Sequence, residues 1–564
     1  MGLSAALSIA GSSLDVFTAG MQVAGQNIAN ANTPGYIREQ LNVAASVPYV
    51  KGGIVLGTGV TAQGVKQDID KYLQLQIYAA QGDYQGANAA SSTYQSLQSM
   101  LNSLGSGSLS DSLGSFINTL NTVANQPELQ SSSQLAVAQG QQLVQAITTV
   151  RGQVDTMRTA QNTQVTNLVA QANSLIDQIN KLNPQIVSAE AAGLNLNDAG
   201  GLRDQRYQAL TQLAQLIPIK VDELPTGEDQ VTMGSDFLVQ GDQVRHLETY
   251  NVVDRGVQVN KVRVQTTNTV LTGTQGQING VMNGRDQVLG GFVDQLDQYT
   301  GNIINQFNQI FASGQGAAGF TSVTSTNAVT DPTASLNTAG LPFTPTNGSF
   351  KVNVTNIATG ATTTTTIPVD LDGIGSDTTL NSLAASLNAA GNITATVTPD
   401  GHLSLSAASG YQLKFSSDTS GALADLGINT FFTGSNSGNI GVNQTVVNNP
   451  SLFATGQGGG ASDGSNALAL AQFADQPSTA LGGSSINTFY NTTITKLGQN
   501  AASQSALASG SNGYLTTLTN QQQQTSGVSL DEEAINVMTY QHAYQATARY
   551  ITTVDQMLNA LMQI

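Results

Sequence analysis

Three histidines, no cysteine and a run of three carboxylates are the groups with which this chain could do chemistry. A zinc site would need His or Cys at ligand spacing. His246, His402 and His542 each stand alone in sequence, and no thiolate is available, so each histidine is read as a solvated surface side chain. Asp531-Glu532-Glu533 could in principle supply metal ligands or an acid–base pair. The same residues follow Ser529, however, and Ser529 with Glu532 three positions on spells a capping box. Asp531 and Glu533 then add negative charge where a helix dipole is positive. Capping explains the serine as well as the carboxylates and is the better reading. Gly458-Gly459-Gly460 lacks the Lys that follows a phosphate-binding loop and reads as a linker. Asp204 and Arg206, two positions apart on one helix, face different ways, which favours a structural role. No catalytic residue, cofactor or metal ligand is assigned, and the chain is not read as an enzyme.

The elements that would carry these residues are therefore the main source of information. At 564 residues the chain is too long for one compact core, and about two to four domains are expected. Nineteen basic residues against 36 acidic ones give a net charge of -17, which disfavours nucleic acid or an anionic membrane as partner. Only 10% of residues are charged; Asn, Gln, Ser, Thr and Gly supply the polar surface. Without Cys there are no disulfides. No apolar run approaches the roughly 20 residues that span a bilayer, so no membrane insertion is expected. The first basic residue is Arg38, too late for a secretory signal, so export would need another route.

Both ends of the chain carry heptad spacing. Leu3, Leu7, Ala10, Leu14, Phe17, Met21, Ala24, Ile28 and Ala31 alternate steps of four and three. Val537, Tyr540, Tyr544, Thr547, Ile551, Val554, Leu558 and Leu561 do the same, following Leu530 and the cap. A second line, Ala543, Tyr550, Met557 and Ile564, widens the apolar face beyond what one partner helix covers. The spacing predicts that the two terminal helices pair, with the intervening chain forming one long excursion.

The first helix should stop near residues 30–32, because Pro34 disfavours helical geometry at Thr33 and Pro34-Gly35 suits a type II turn. The stretch Asn27-Ile28-Ala29-Asn30-Ala31-Asn32-Thr33-Pro34-Gly35-Tyr36 resembles the N-terminal signature of flagellar rod, hook and hook-associated proteins. Ser526 to Glu533, continuing through Tyr540-Gln541-His542-Ala543-Tyr544-Gln545-Ala546 and Thr553-Val554-Asp555-Gln556-Met557, resembles the C-terminus of the hook-associated protein 1 family. Asn197-Asp198 and Leu202-Arg203-Asp204-Gln205-Arg206 resemble a further element of that family. Here they depart from its pattern by Ala199-Gly200-Gly201 and by Tyr207.

Between the ends, the pattern runs helical, β-rich and helical again. The expected fold is mainly α with β-rich insertions, an α+β multidomain chain with paired terminal heptad helices, a central helical bundle and a distal β domain. The expected segments are 1–65 (N-terminal helix and extended segment), 66–215 (helical), 216–280 (small β element), 281–315 (helix), 316–460 (β-rich outer domain), 461–520 (returning helices) and 521–564 (C-terminal helix). A β-α-β insertion is expected at about 348–427. The long helical seam through Leu143 to Ile186 slips near Gln161.

The resemblance implies a structural subunit joining flagellar hook to filament and exported by the flagellar type III apparatus. Its implied partners are copies of itself in a ring or helical assembly, the hook protein, the second junction protein (hook-associated protein 3) and an export chaperone on the C-terminal helix. It places subunit assembly on Leu3, Leu7, Leu14, Phe17, Met21, Ile28, Asn27, Asn30, Asn32, Pro34, Gly35 and Tyr36. At the other end it uses Leu530, Val537, Tyr540, Tyr544, Ile551, Val554, Leu558 and Leu561. An adhesin or phage-fibre protein would share the heptads and the Gly/Thr richness, and the hook protein would share the N-terminal signature. Neither accounts for both ends.

Overall fold

A computed structural model describes residues 2–33, 35–103, 105, 108–192 and 197–562. Helix α1 (Gly2–Asn30) ends at the expected place. The Tyr36 N–H donates to the Thr33 carbonyl at 3.2 Å, closing a turn in which Gly35 takes φ +78°. Pro34 lies outside the described residues. Strand β1 (Glu39–Ala45), the hairpin β2 (Tyr49–Lys51) and β3 (Ile54–Leu56), and β4 (Val60–Gln67) follow. β1 and β4 pair antiparallel with a bulge at Asn42/Val43. Helices α2 (Lys71–Ser103), α3 (Leu109–Asn125), α4 (Gln130–Ala192) and α5 (Gly200–Leu216) come next. α3 is capped by Ser108, whose hydroxyl accepts from the Asp111 N–H at 3.2 Å. α4 runs 63 residues and carries Pro184 inside it.

Strands β5 (Lys220–Glu223), β6 (Asp229–Met233), β7 (Asp236–Gln240) and β8 (Gln243–Val244) form one antiparallel sheet in sequence order. β9 (Leu247–Asp254) and β10 (Val257–Val264) form a separate hairpin. Then come α6 (Gln277–Asn283), a π-helical turn at Gly284–Leu289 that the apolar spacing did not announce, and α7 (Gly290–Ala312).

The β-rich module holds β11 (Ser322–Thr324), β12 (Gly348–Asn356), β13 (Thr362–Val369), α8 (Leu380–Ala389), β14 (Ile393–Val397), β15 (Leu403–Ala407) and β16 (Tyr411–Ser416). Its sheets run β13-β12-β16 and β11-β15-β14. α8 begins on a reciprocal capping box, Thr379 with Ser382. Short elements follow: α9 (Ala422–Leu426), β17 (Phe432–Thr433) paired with β18 (Gly441–Val442), α10 (Gln444–Asn448) and α11 (Ser465–Ala471). α12 (Ile486–Ser526) continues unbroken through the glutamines 521–524, and α13 (Leu530–Met562) closes the described chain.

The chain divides into two compact units, Met1–Thr93 with Thr159–Arg285 and Ala501–Ile564, and Tyr94–Arg158 with Asp286–Asn500. The heptad slip near Gln161 falls two residues past the boundary that α4 crosses at Thr159. Polar side chains stand where the seam breaks: Gln161 Nε2 donates to Thr93 Oγ1 at 2.7 Å, in place of apolar packing. The first unit's core joins Val165, Ala172, Ile176 and Ile179 of α4 to Leu210 and Leu213 of α5 and to Val231, Leu238 and Val239 of the sheet. The second unit has two cores. One is built on aromatic rings, Phe116, Phe307, Phe431 and Phe432, with centroids 4.8–5.9 Å apart. The other fills the β-rich module around Phe350, Val352, Leu383, Leu403 and Phe415.

Several sequence expectations need correction. By length and composition α1 is long and apolar enough to cross a membrane, against the expectation; its leucines, isoleucines, valines and alanines raise the average between scattered polar residues. His402 is not a solvated side chain: it is half-buried, with Nδ1 2.8 Å from the Ser325 carbonyl, because the tight turn before β15 folds it onto the neighbouring segment. His246 is paired with Asp177 at 2.8 Å, and only His542 is simply exposed. The Gly458–Gly460 stretch is an ordered loop and not a plain linker. The N–H groups of Gln457 and Gly459 donate to Asp463 Oδ2, so the chain's own carboxylate fills the backbone cradle. Asp370, Asp372 and Asp377 come close enough to hold a metal ion, a grouping that sequence inspection missed because it depends on how the loop after β13 folds.

Candidate assembly site at the paired termini

The two terminal helices pack side by side. On α1 the fully buried positions are Ala10, Val16, Gly20, Ala24 and Asn27. The large residues Leu3, Leu7, Leu14, Phe17 and Met21 are only half-buried, and Ile28 is exposed. Small residues thus set the closest approach. A Cβ on Gly20 would lie 2.7 Å from the Tyr540 ring, so Tyr540 packs against bare backbone. On α13, Val554 is buried, and Val537, Tyr540, Thr547, Ile551 and Leu558 are half-buried along the α1 side. Tyr544 and Leu561 share the register of that seam but are exposed, Leu561 at 63%. The second apolar line shows the same exposure at Tyr550 and Met557, joined by Leu530, Ile535, Met538 and Met562. α13 therefore buries one apolar face on α1 and leaves another open to solvent.

The signature after α1 locks the helix to the first strand. Asn27 is buried, and its amide makes both halves of a backbone-like pair with Glu39: Nδ2 donates to the Glu39 carbonyl at 2.9 Å, and Oδ1 accepts its N–H at 3.0 Å. Tyr36 Oη donates to the same Oδ1 at 2.8 Å. Burial first, and then the nearby carboxylates, push the Tyr36 hydroxyl well above its ordinary range. Asn30 and Asn32 do a smaller job. Asn30 Nδ2 donates to the Gln26 carbonyl at 3.1 Å and its Oδ1 accepts from Thr33, while Asn32 sits at the surface of the turn.

Arg38 ties this segment to the other terminus. Its guanidinium meets Glu533 at 2.7 Å and Glu532 at 3.0 Å, and its N–H donates to the Ser526 carbonyl at 3.1 Å. Glu533 is only 2% exposed, so this is a buried charge held by its partner. The capping box read from the sequence is therefore half made. Ser529 Oγ accepts from the Glu532 N–H at 3.4 Å, but the Glu532 carboxylate is turned to Arg38. A salt bridge to an arginine outcompetes a bond to a single backbone N–H.

The element before and within α5 completes the site. Asn197 Oδ1 and Asp198 Oδ2 accept the N–H groups of Val65 and Gln67 at 2.8 and 2.9 Å, extending the β4 edge. Arg203 forms a two-pronged pair with Glu190 at 2.6 and 2.9 Å and also meets Glu223 at 2.8 Å. Burial alone would raise Glu190, but the Arg203 bonds outweigh it and hold the carboxyl below its usual range. Arg206, fully buried, pairs with Asp229 at 2.8 Å and donates to Asn183 Oδ1 at 2.9 Å. These charges fasten α5 to α4 and the sheet; they are structural groups.

The comparisons with known proteins agree with this arrangement. Residues 94–324 match the model of the flagellar hook-associated protein FlgK helical domain, and residues 520–564 match that of the flagellar basal body rod FlgEFG protein C-terminal region. Flagellar hook-associated protein 1 of Escherichia coli strain K12 is 27% identical over 590 residues, covering all of both chains. The protein of the same name from Bacillus subtilis strain 168 is 24% identical over 99% of this chain and 97% of its own. Over its whole length the chain is similar to flagellar hook-associated protein 1. The fold is similar to that of the flagellar hook junction protein FlgK from Burkholderia pseudomallei, with a TM-score of 0.51 at 18% identity, over 80% of this chain and 100% of that one.

This full-length similarity to hook-associated protein 1 fits a structural component of the bacterial flagellum. The C-terminal match spans the end of α12 and all of α13, the helix with the open apolar face. Sequence reasoning missed Arg38, although an arginine just past the signature and two glutamates at the start of the last helix were both visible. It also missed Gly20, because a glycine within a heptad helix reads as a weak spot and not as a seat for a ring.

Proposed function

We propose that this chain is the subunit that joins flagellar hook to filament, assembling through α1 and α13. The observation that carries the reading is the open apolar row on α13, Tyr550 and Met557 seven residues apart, beside the seam already packed on α1, with Leu561 exposed at the helix end. An exposed row of this size on a long helix is a surface that burial against a partner stabilises. Neighbouring copies of the chain are the first such partner, and the row gives each copy a contact that persists when its own terminal pair is closed. The hook protein lies below and the second junction protein, hook-associated protein 3, above. Before export through the flagellar type III apparatus, a chaperone covers the same α13 face, which would otherwise be open to aggregation. The assembled site uses no cofactor or metal.

Electron microscopy of cells lacking the gene, with the culture medium assayed for flagellin, tests this. The expected result is bare hooks with flagellin lost to the medium. Missing hooks would move the protein down to the hook or rod, and intact filaments would overturn a junction role.

A further inference from the structure

Three carboxylates gather where the segment after α1 meets the start of α5. Glu39, on β1, is 8% exposed, and its Oε1 sits so close to Gly200, the first residue of α5, that a Cβ there would fall 1.8 Å from it. Among the described residues, no hydrogen bond reaches this carboxylate. Asp204, also buried, accepts from Gln67 Nε2 at 2.7 Å and from the Ile37 backbone N–H. Asp198 accepts the Gln67 backbone N–H. Gln67 thus bridges two of the acids, yet its own Oε1 is buried without a donor.

Among the described residues, the surrounding elements supply no compensating cation. α1 contributes the neutral Asn27, β4 the neutral Gln67, the turn Tyr36, and α13 another acid, Glu533. The nearby guanidinium groups are engaged elsewhere, Arg38 by Glu532 and Glu533, Arg203 by Glu190 and Glu223. The cluster therefore has acceptors in excess and lacks donors. A proton is what it lacks: on Asp204 or on Glu39 it would remove one negative charge from a group of acids that no cation faces, and supply a donor where acceptors crowd.

We propose that Glu39, Asp198 and Asp204 form a pH-responsive latch that fastens the segment after α1 to the start of α5, tight in mildly acidic solution and looser in alkaline solution. Burial, followed by the Glu39 charge, raises Asp204 to about 6, and burial, followed by Asp198, raises Glu39. A carboxyl that binds its proton more tightly when folded favours the folded contact at low pH. That contribution fades as pH rises through its folded value. Because Tyr36 and Asn27 are tied to the same strand, loosening would reach the root of the terminal pair.

Hydrogen exchange on the full-length monomer tests the latch directly, with protection corrected for intrinsic exchange at pH 5 and pH 8. The reporters are the amides of Ile37, Val65 and Gln67, with Val231 in the sheet core as reference. In the natural protein, protection of the reporters should fall about tenfold or more between the two pH values relative to Val231, as expected for a shift above one pKa unit. Asp204→Asn, which mimics the protonated acid, should hold acid-like protection at both. Glu39→Gln should reduce the fall and provides the test if the first variant does not fold. A flat natural protein, or the same tenfold fall in both variants, would overturn the proposal.

Discussion

Arg38 and Glu533 stand 2.7 Å apart, joining the segment after the first helix to the first turn of the last. Removing Arg38 leaves Glu533, the more deeply buried of the two, without compensation, whereas Arg38 without Glu533 still meets Glu532. Arg38→Ala should destabilise the first compact unit by about 3–5 kcal/mol, while Glu533→Gln should cost less because it removes the charge itself. The Arg38→Ala/Glu533→Gln double variant should recover part of the loss. Denaturant unfolding of the four proteins measures this, and strictly additive losses would mean that the two groups do not act as a pair.

How far this was legible in the sequence depends on the range of each interaction. The terminal pairing was readable because heptad spacing is local and repeats without a miss from Leu3 to Ala31. The strands and helix of the β-rich module were readable for the same reason: alternation at Phe350-Val352-Val354 and the turn at Pro399-Asp400-Gly401 are local patterns. Nothing local says that Arg38 chooses Glu533, or that Asn27 serves as a strand partner for Glu39. Those choices are made by the folded chain. The half-made cap at Ser529 shows the limit, since its local pattern was present but a distant arginine took the glutamate.

Gly20 offers a second test. Any side chain there must displace the Tyr540 ring, which would otherwise lie within 2.7–2.8 Å of the new Cβ. Gly20→Val should weaken the α1–α13 pair by about 1–3 kcal/mol despite the better helix propensity of the new residue. Gly20→Val combined with Tyr540→Ala should restore much of the loss by vacating the space. Loss of protease resistance in α13 is the measurement. Equal resistance in the natural protein and Gly20→Val would show that the ring moves away freely.

Asp425 in the β-rich module predicts a pH effect of its own. The side chain is fully buried, both its oxygens lack a partner, and the well-bonded Asp418 stands near it. Burial, then Asp418, raises Asp425 from 3.8 to about 7. The folded form therefore holds a proton that the unfolded chain has released, and stability falls as pH rises from about 4 to about 7, then levels off. Asp425→Asn should flatten that slope and stabilise the second unit by about 2–4 kcal/mol at pH 8, with little change at pH 4. Unfolding in denaturant at the two pH values decides it. A variant less stable than the natural protein at pH 8 would mean that the ionised carboxylate has favourable partners.

The two faces of α13 give the last prediction, because they separate folding from assembly. Ile551 lies half-buried on the α1 side, whereas Met557 lies on the open row and Leu561, at the end of the seam, is 63% exposed. Ile551→Asp places a charge inside the terminal pair and should lower monomer stability as well as incorporation, since an unpaired charge in an apolar seam is costly. Leu561→Asp and Met557→Asp add a charge to a side already in water, so monomer stability should stay within about 0.5 kcal/mol of the natural protein. If the open row is the surface that a neighbouring copy covers, these two changes should still abolish incorporation, leaving bare hooks and flagellin in the medium. Cells that carry Leu561→Asp and Met557→Asp together and still build full filaments would show that the row stays solvated in the flagellum. Assembly would then have to rest on the half-buried residues of α1.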